Sequence, residues 1–294
     1  NFSSWDWQYY SEKRRQNEHE LNELEIKPYF SLDQMINAAF YCAKKLFDLS
    51  FVPIDPPLYH NDCKAWEVFR KDKTIGLFIG DYFARPSKRS GAWCSALQSQ
   101  AKFPIEQKPI VLNVCNFAKG SPCLLSFDDV QTLFHEFGHA LHQLLSNVTY
   151  EPLSGTSVAR DFVELPSQLY EHWLTVPDVL KKFALHYETK IPISDELIER
   201  IIGASNYDMA YQTVEYTSSA LVDLYFHLSE TDQDIMNFQT EILNKIEMPE
   251  AIVMRHGAPH FAHVFSGGYY AAAYYSYMWS EVMDEDAFSA FEEA

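Results

Sequence analysis

Residues His135-Glu136-Phe137-Gly138-His139 place two imidazoles and a carboxylate at helical spacing. Residues four apart in an α-helix lie on one face about one turn from each other, so both histidines can bind one metal ion. Glu136 then lies beside that ion. Two histidines leave room in a zinc site for a third protein ligand and a water molecule, whose proton a neighbouring carboxylate accepts. The pentapeptide therefore indicates a zinc site of the hydrolytic type.

The residues around this motif predict that it lies on a helix. Ser126 and Asp128 are suitable capping residues, and apolar side chains recur at helical spacing from Val130 to Leu145. The alternative is two incidental histidines on a helix that binds no metal. A capped helix with the motif at its centre favours the metal site, because the spacing has chemical meaning only on a helix.

A third protein ligand must come from elsewhere in the chain. Position 145, ten residues after the first histidine, is a leucine, which excludes the class of site that has a third histidine at this spacing. His142 lies on the same helix face as His135, but about 10 Å further along the axis, too far to share one ion. The remaining candidates are downstream glutamates, of which the nearest are Glu151, Glu164 and Glu171.

Glu164 belongs to a second predicted helix over residues 159–173. One face of that helix carries a polar stripe, and the apolar residues lie off the stripe, toward a core. A solvated helix face is the usual explanation of such a stripe. Next to the first helix, however, the second helix would bring Glu164 to the ion. The stripe consists of Asp161, Glu164, Gln168 and Glu171.

These motifs together resemble the zinc metallopeptidase family of thimet oligopeptidase, neurolysin, oligopeptidase A and bacterial dipeptidyl carboxypeptidase. The resemblance rests on residues 135–142, 153–156 and 160–173, and it extends over nearly the whole chain through residues 5–10, 81–86, 113–117, 255–256, 260–263 and 269–279. It implies a mainly α, zincin-like and neurolysin-like helical fold with a small β-sheet beside the active site. It also implies one Zn²⁺ per chain, with Glu136 as general base and with three ligands, His135, His139 and Glu164.

The resemblance also implies roles for residues near the end of the chain. Tyr270 and Tyr277 match tyrosines that stabilise the substrate oxyanion, and His263 matches a histidine that contacts the substrate backbone. Tyr270, Tyr274 and Tyr277 recur at helical spacing, which predicts one stripe of a helix. The alternative is an aromatic stripe packed in a core, and either Tyr269 or Tyr270 can supply the first hydroxyl. Further candidates for substrate contact are Gly76, Arg160, His260, Tyr269 and Tyr274.

Apolar periodicity predicts a helix-rich chain with one small sheet. Helical patterns cover residues 5–24 and 32–49 and nearly everything after residue 127, whereas residues 65–70, 74–83 and 109–114 resemble strands. A peptide substrate can add to the edge of such a sheet through backbone hydrogen bonds. We predict that residues 76–84, starting at Gly76, form this edge strand.

Composition limits the remaining possibilities. A chain of 294 residues with 47% hydrophobic content can bury a large core in one domain or two lobes. Its net charge of -18 disfavours nucleic acid and anionic membranes as partners. Five cysteines without a Cys-x-x-Cys pair indicate neither a disulfide framework nor a cysteine zinc site. No basic and apolar leader or long apolar run occurs, so we expect a cytoplasmic location. We also expect a monomer, and the resemblance implies that it acts on short peptides.

The chain starts without a methionine and matches the catalytic, C-terminal half of the family. We therefore expect residues 1–294 to be a catalytic domain that lacks the helical N-terminal half and the extreme C-terminus. Residues 113–116, 160–164 and 171–173 resemble bacterial dipeptidyl carboxypeptidase more than oligopeptidase A, which favours the release of C-terminal dipeptides.

Dipeptide release requires a cation for the substrate carboxylate. The available cations are Lys88, Arg89, Arg160 and Arg255, although structural or surface ion pairs explain each of them equally well. The alternative activity is an oligopeptide endopeptidase of the oligopeptidase A type. The alternative from another class is an inactive peptide-binding or structural fragment.

Overall fold

The computed structural model describes residues 2–230 and 234–294, which form two compact units. The first unit comprises Asn1–Leu21, Arg160–Phe162 and Arg200–Val282, and the second comprises Asn22–Ala159, Val163–Glu199 and Met283–Ala294. Helices dominate both, which confirms the prediction of a mainly α chain. In chain order the helices are α1 Trp7–His19, α2 Glu23–Ile26, α3 Leu32–Phe47, α4 Phe127–Leu144, α5 Arg160–Val163, α6 Leu165–Glu171, α7 Pro177–Phe183, α8 Asp195–Gly203, α9 Met209–Leu228, α10 Ile235–Lys245, α11 Ala262–Phe265 and α12 Ser276–Glu292.

The second unit contains a five-stranded sheet with the order β1-β2-β3-β5-β4. Strands β3 and β5 are parallel, and the other neighbouring pairs are antiparallel. Strands β2, β3 and β5 confirm the three predicted strands, whereas β1 and β4 add one strand at each edge. The bounds are β1 Leu49–Ile54, β2 Lys64–Arg70, β3 Lys73–Phe83, β4 Trp93–Gln98 and β5 Ile110–Phe117.

The prediction that residues 76–84 form an edge strand is wrong. Strand β3 pairs with β2 on one side and with β5 on the other, so its backbone is not open to a peptide. A Cβ added to Gly76 would lie 2.7 Å from the carbonyl oxygen of Pro109, at the start of the pairing with β5. Gly76 therefore permits a close contact between strands, and the prediction that it binds substrate is corrected to this structural role.

Helix α4 carries the His-Glu-x-x-His motif and packs on this sheet. The Ser126 hydroxyl accepts the Asp129 N–H at 3.0 Å, and the Asp129 carboxylate accepts the Ser126 N–H at 3.0 Å, which satisfies two free amides at the start of the helix. The ring of Phe137 lies 5.3 Å from the ring of Phe78 on β3. Burial of these rings fixes which face of α4 is turned away from the sheet. This arrangement confirms the predicted helix and its cap.

The helix predicted over residues 159–173 is interrupted. Helix α5 ends at Val163, α6 starts at Leu165, and a 3-10 turn, His172–Leu174, follows. Pro166 explains the interruption, because proline has no N–H for the carbonyl group of Phe162 and its ring crowds that carbonyl. Glu164 therefore occupies the junction between two short helices, and its carbonyl oxygen accepts the N–H of Gln168 at 2.9 Å.

The first unit is built around α9. Val222 of this helix lies in a core with Phe238 and Ile242 of α10. The ring of Trp7 on α1 stacks on the ring of Tyr211 at 4.3 Å. No helix in the described part of the chain is both long and apolar enough to cross a bilayer.

A buried charge cluster stabilises the turn after β3. Asp81 is 1% exposed, and it accepts hydrogen bonds from Arg85 at 2.6 and 2.7 Å and from Tyr59 at 2.7 Å. Burial would raise the pKa of this carboxyl, but Arg85, Tyr59 and Lys88 lower it to about 2. The folded protein therefore holds Asp81 ionised at neutral pH.

We expect Asp81→Asn to lower the free energy of unfolding by about 3–5 kcal/mol at pH 7, because it leaves the cations of Arg85 and Lys88 without their counterion. The folded pKa is depressed, so the carboxylate stabilises the fold above its unfolded pKa and ceases to do so as the pH falls toward about 2. Urea unfolding should therefore show a difference between wild type and variant that shrinks on acidification. Asp55→Asn, at an exposed position, is the control. A difference that grows on acidification would contradict this account.

Candidate metal centre and catalytic residues

Three ligand atoms from His135, His139 and Glu164 converge in the second unit. The Oε2 atom of Glu164 lies 3.3 Å from Nε2 of His135 and 3.0 Å from Nε2 of His139, and all three ligand atoms lie within 4.8 Å of one another. Tetrahedral zinc with bonds of about 2.0–2.1 Å holds its ligands about 3.3 Å apart. The residues present therefore fit a zinc ion, and the two histidines and the glutamate would be its protein ligands.

Glu171 fixes the orientation of the His135 ring. Its Oε1 lies 2.6 Å from Nδ1 of His135, and its Oε2 accepts a hydrogen bond from Gln131 at 2.6 Å. Because Nδ1 is held in this way, Nε2 is left for a metal, as in many metal sites. Glu171 is a candidate for the third ligand in the sequence, but in the structure it contacts Nδ1 of His135, on the side of the ring away from Glu164. Glu171 belongs to the same predicted polar stripe as Glu164.

The triad is strongly coupled electrostatically. Burial would raise the pKa of Glu164, but hydrogen bonds from His135 and His139 hold it well below its usual range. Burial lowers the pKa of His135, but the hydrogen bonds with Glu164 and Glu171 raise it well above its usual value. A metal ion competes with protons for these same nitrogens, so metal affinity falls as the pH falls.

Glu136 lies beside the triad as a second buried carboxyl group. It is 6% exposed, and its Oε2 is buried without a hydrogen-bond partner among residues 2–230 and 234–294. Burial raises its pKa, and the opposite effect of His135 and His139 is smaller. A buried carboxyl next to a candidate metal triad is suited to accepting and then donating a proton.

Ser167 forms hydrogen bonds with Glu164, a role that the sequence did not indicate. The Ser167 hydroxyl is 2.7 Å from the carbonyl oxygen of Glu164 and 3.2 Å from its Oε2. Ser167 is fully buried. Its position at the start of α6 is fixed by the contact of α6 with α4, so the third ligand depends on that helix contact.

The first unit brings together His263, Tyr270 and Tyr277. The Tyr277 hydroxyl lies 2.9 Å from Nε2 of His263. The rings of Tyr270 and Tyr277 are nearly parallel with centroids 6.0 Å apart, and His263 lies 4.5 Å from the ring of Tyr270. Two tyrosines and an imidazole therefore form one cluster. Tyr269 is exposed, and its ring lies 5.4 Å from the ring of Tyr270.

The helical stripe predicted for these tyrosines is wrong. Helix α12 starts at Ser276, so Tyr270 and Tyr274 precede it. Ala272 has φ of 58°, a left-handed backbone that a continuous helix excludes. The carboxylate of Asp223 on α9 accepts the N–H groups of Ala272 at 2.9 Å and Tyr274 at 3.0 Å, so it holds the turn in this shape. The sequence carried no signal for this long-range anchor.

The other predicted substrate contacts have different surroundings. Tyr274 is 7% exposed in a core with Phe261, and its carbonyl oxygen accepts a hydrogen bond from Tyr216, so we correct its assignment to a core residue. His260 is exposed in the 3-10 turn Ala258–His260. The guanidinium of Arg160 lies 3.1 Å from the ring centroid of Tyr269.

Comparison with known proteins identifies the family. The chain matches the family described as Peptidase family M3 over residues 1–294. It is 41% identical over 300 residues to a dipeptidyl carboxypeptidase of Escherichia coli (strain K12) and 37% identical over 303 residues to oligopeptidase A of the same organism; each alignment covers 98% of this chain and 44% of the relative. A thimet-like oligopeptidase of Dictyostelium discoideum is 32% identical over 309 residues, and the alignment covers 99% of this chain and 45% of the relative. The chain thus spans less than half the length of these relatives. The resemblance noted in the sequence motifs is confirmed, and the chain belongs to peptidase family M3.

Proposed function

We propose that this chain is the catalytic part of a zinc-dependent enzyme that hydrolyses short peptides. The convergence of His135, His139 and Glu164 next to the buried carboxyl of Glu136 is the observation that carries the proposal. A zinc ion at this triad would polarise the scissile carbonyl and acidify the attacking water. We propose one catalytic ion per chain, at this triad. The assignment of residues 1–294 to the catalytic half of a longer enzyme and the cytoplasmic location stay predictions.

The chain's own groups account for the proton transfers. The carboxylate of Glu136 accepts a proton from the attacking water and later donates it to the leaving amine. The hydroxyls of Tyr270 and Tyr277 donate hydrogen bonds to the oxyanion, and His263 orients the Tyr277 hydroxyl through their contact of 2.9 Å.

An extended substrate is proposed to add to strand β4. It is an edge strand and packs beside α4. The side-chain amide of Gln143 on α4 donates to the sulfur of Cys94 on β4 at 3.2 Å. Backbone hydrogen bonds along β4 would hold a peptide near the motif helix while tolerating many side chains.

We further propose that the enzyme releases dipeptides from the C-terminus of its substrates. The similarity to dipeptidyl carboxypeptidase supports this preference, and Arg160 is the best available cation for a terminal carboxylate. Its Nη1 is buried and has no hydrogen-bond acceptor in the described ranges. Lys88 is 4% exposed and bonded to Asp81 and to backbone carbonyls, so it is unavailable to a ligand. Arg89 and Arg255 lie exposed on the surface.

Mass spectrometry of peptide digests tests both the zinc-dependent hydrolysis of peptides and the release of C-terminal dipeptides. Peptides with a free C-terminus should lose successive dipeptides, whereas C-amidated copies should stay intact. Removal of the metal with a chelator should stop cleavage, and added Zn²⁺ should restore it. Internal cleavage of both peptides would instead establish an oligopeptide endopeptidase. No cleavage by zinc-loaded protein would favour an inactive peptide-binding fragment.

We expect Arg160→Gln to lower kcat/KM for free-ended peptides by about 10-fold to 100-fold, the equivalent of losing about 1.5–3 kcal/mol from one charge-assisted hydrogen bond. The loss should lie mainly in KM, because the terminal carboxylate is remote from the reacting bond. Arg255→Gln is the matched control at an exposed site. Equal losses in the two variants, or a loss confined to kcat, would remove Arg160 from this role.

A further inference from the structure

We propose a second metal site, specific for divalent transition metals, at His172, Asp284 and Glu285. Each of these residues offers one ligand atom, and the three atoms lie within 4.8 Å of one another. All three residues belong to the second unit, and none is a ligand of the first triad. The proposal does not rest on the proposed peptidase activity, because the site shares no residue with the first triad or with Glu136.

Asp284 provides the buried part of the site. It is 3% exposed, and its one side-chain hydrogen bond within residues 2–230 and 234–294 is to Nε2 of His172 at 3.2 Å. A carboxylate can accept about four hydrogen bonds, and burying its charge is unfavourable unless partners compensate for it. One imidazole leaves acceptor capacity on the Asp284 carboxylate, which a cation can use.

The geometry of His172 is already fixed. Its ring stacks on Phe288 with centroids 4.4 Å apart and an interplanar angle of 13°. His172 lies in the 3-10 turn His172–Leu174, whereas Asp284 and Glu285 are consecutive on α12. Ligands from two separate elements are thus held together before any ion binds, which lowers the entropic cost of binding.

The donor set determines the class of ion. An imidazole with two carboxylates is suited to Zn²⁺, Co²⁺, Ni²⁺ or Cu²⁺, whereas Mg²⁺ and Ca²⁺ prefer oxygen donors alone. The two carboxylates carry two negative charges, which a divalent ion neutralises. Glu285 is exposed, so an ion can enter from solvent, and we expect weaker binding than at His135, His139 and Glu164.

The site is connected to the first one through the backbone. Glu171, which holds the His135 ring at 2.6 Å, is the residue immediately before His172. The second site therefore lies one residue from a group that orients a ligand of the first triad, although the two sites share no ligand.

Equilibrium dialysis and the visible spectrum of the Co²⁺-substituted protein test this site without measuring activity. We expect wild type to bind two equivalents of Co²⁺ and Glu285→Gln to weaken the second equivalent about tenfold or more, leaving the first unchanged. Asp284→Asn should remove the second equivalent. Asp286→Asn removes the same charge from a neighbouring exposed position and should keep both.

Glu164→Gln separates the two sites, since it should weaken the first equivalent and leave the second. Circular dichroism and urea unfolding identify any variant that fails to fold, and the exposed position of Glu285 keeps that variant informative. One equivalent in wild type, or equal weakening by Glu285→Gln and Asp286→Asn, would overturn the proposal. The His172–Asp284 contact would then be an ordinary ion pair.

Discussion

Glu136→Gln is expected to lower kcat for peptide hydrolysis by about 10²-fold to 10⁴-fold, the usual contribution of a positioned general base. The substitution keeps the size of the side chain and its buried position but removes the group that accepts the proton. Metal content should stay at the wild-type value, because the ligand atoms belong to His135, His139 and Glu164. Steady-state kinetics together with elemental analysis of the same samples measures both quantities.

Glu151→Gln is the matched control, because Glu151 is an exposed glutamate on the same unit. It should leave kcat and KM unchanged. Equal turnover by wild type and Glu136→Gln would contradict the assignment of Glu136 as general base. A variant that loses both activity and metal would show instead that Glu136 supports the structure of the site.

The predicted metal helix depends on local signals, which explains why it was predictable. The Ser126 cap, the apolar spacing and the separation of His135 from His139 all follow from one helix of known geometry. The polar stripe also indicated Glu164 and Glu171 together. The stripe could not distinguish their roles, because the break at Glu164 turns this residue toward Nε2 of both histidines, whereas Glu171 contacts Nδ1 of His135.

The errors come from contacts between distant parts of the chain. The sequence predicts β3 as an edge strand because β1 and β4 have weaker strand patterns. The pattern of a single strand does not report its place in the sheet order. The turn before α12 looked helical because tyrosines recurred at helical spacing. Its shape depends on Asp223, which lies 49 residues before Ala272 and accepts its N–H. Such pairings follow from tertiary packing, and local periodicity does not report them.

Gly138→Ala is expected to disrupt the metal centre although Gly138 binds no metal. A Cβ at this position would lie 2.6 Å from Cα of Ser167 and 2.8 Å from the carbonyl oxygen of Pro166. Both are backbone atoms, so no side-chain rotation relieves the overlap, and α4 must move away from α6. We expect a loss of about 1–3 kcal/mol in the free energy of unfolding, typical of overpacking in a core.

The separation of the helices should also weaken metal binding, because Ser167 and Glu164 move together through their hydrogen bond of 2.7 Å. We expect zinc affinity to fall about 10-fold to 100-fold, as when a group supporting a metal ligand is lost. Gly203→Ala is the control, since nothing lies within 4 Å of its added Cβ at the end of α8. Urea unfolding and competition with a zinc chelator measure the two effects. Unchanged zinc affinity in a destabilised Gly138→Ala protein would show that Glu164 reaches the ion without the close contact of the two helices.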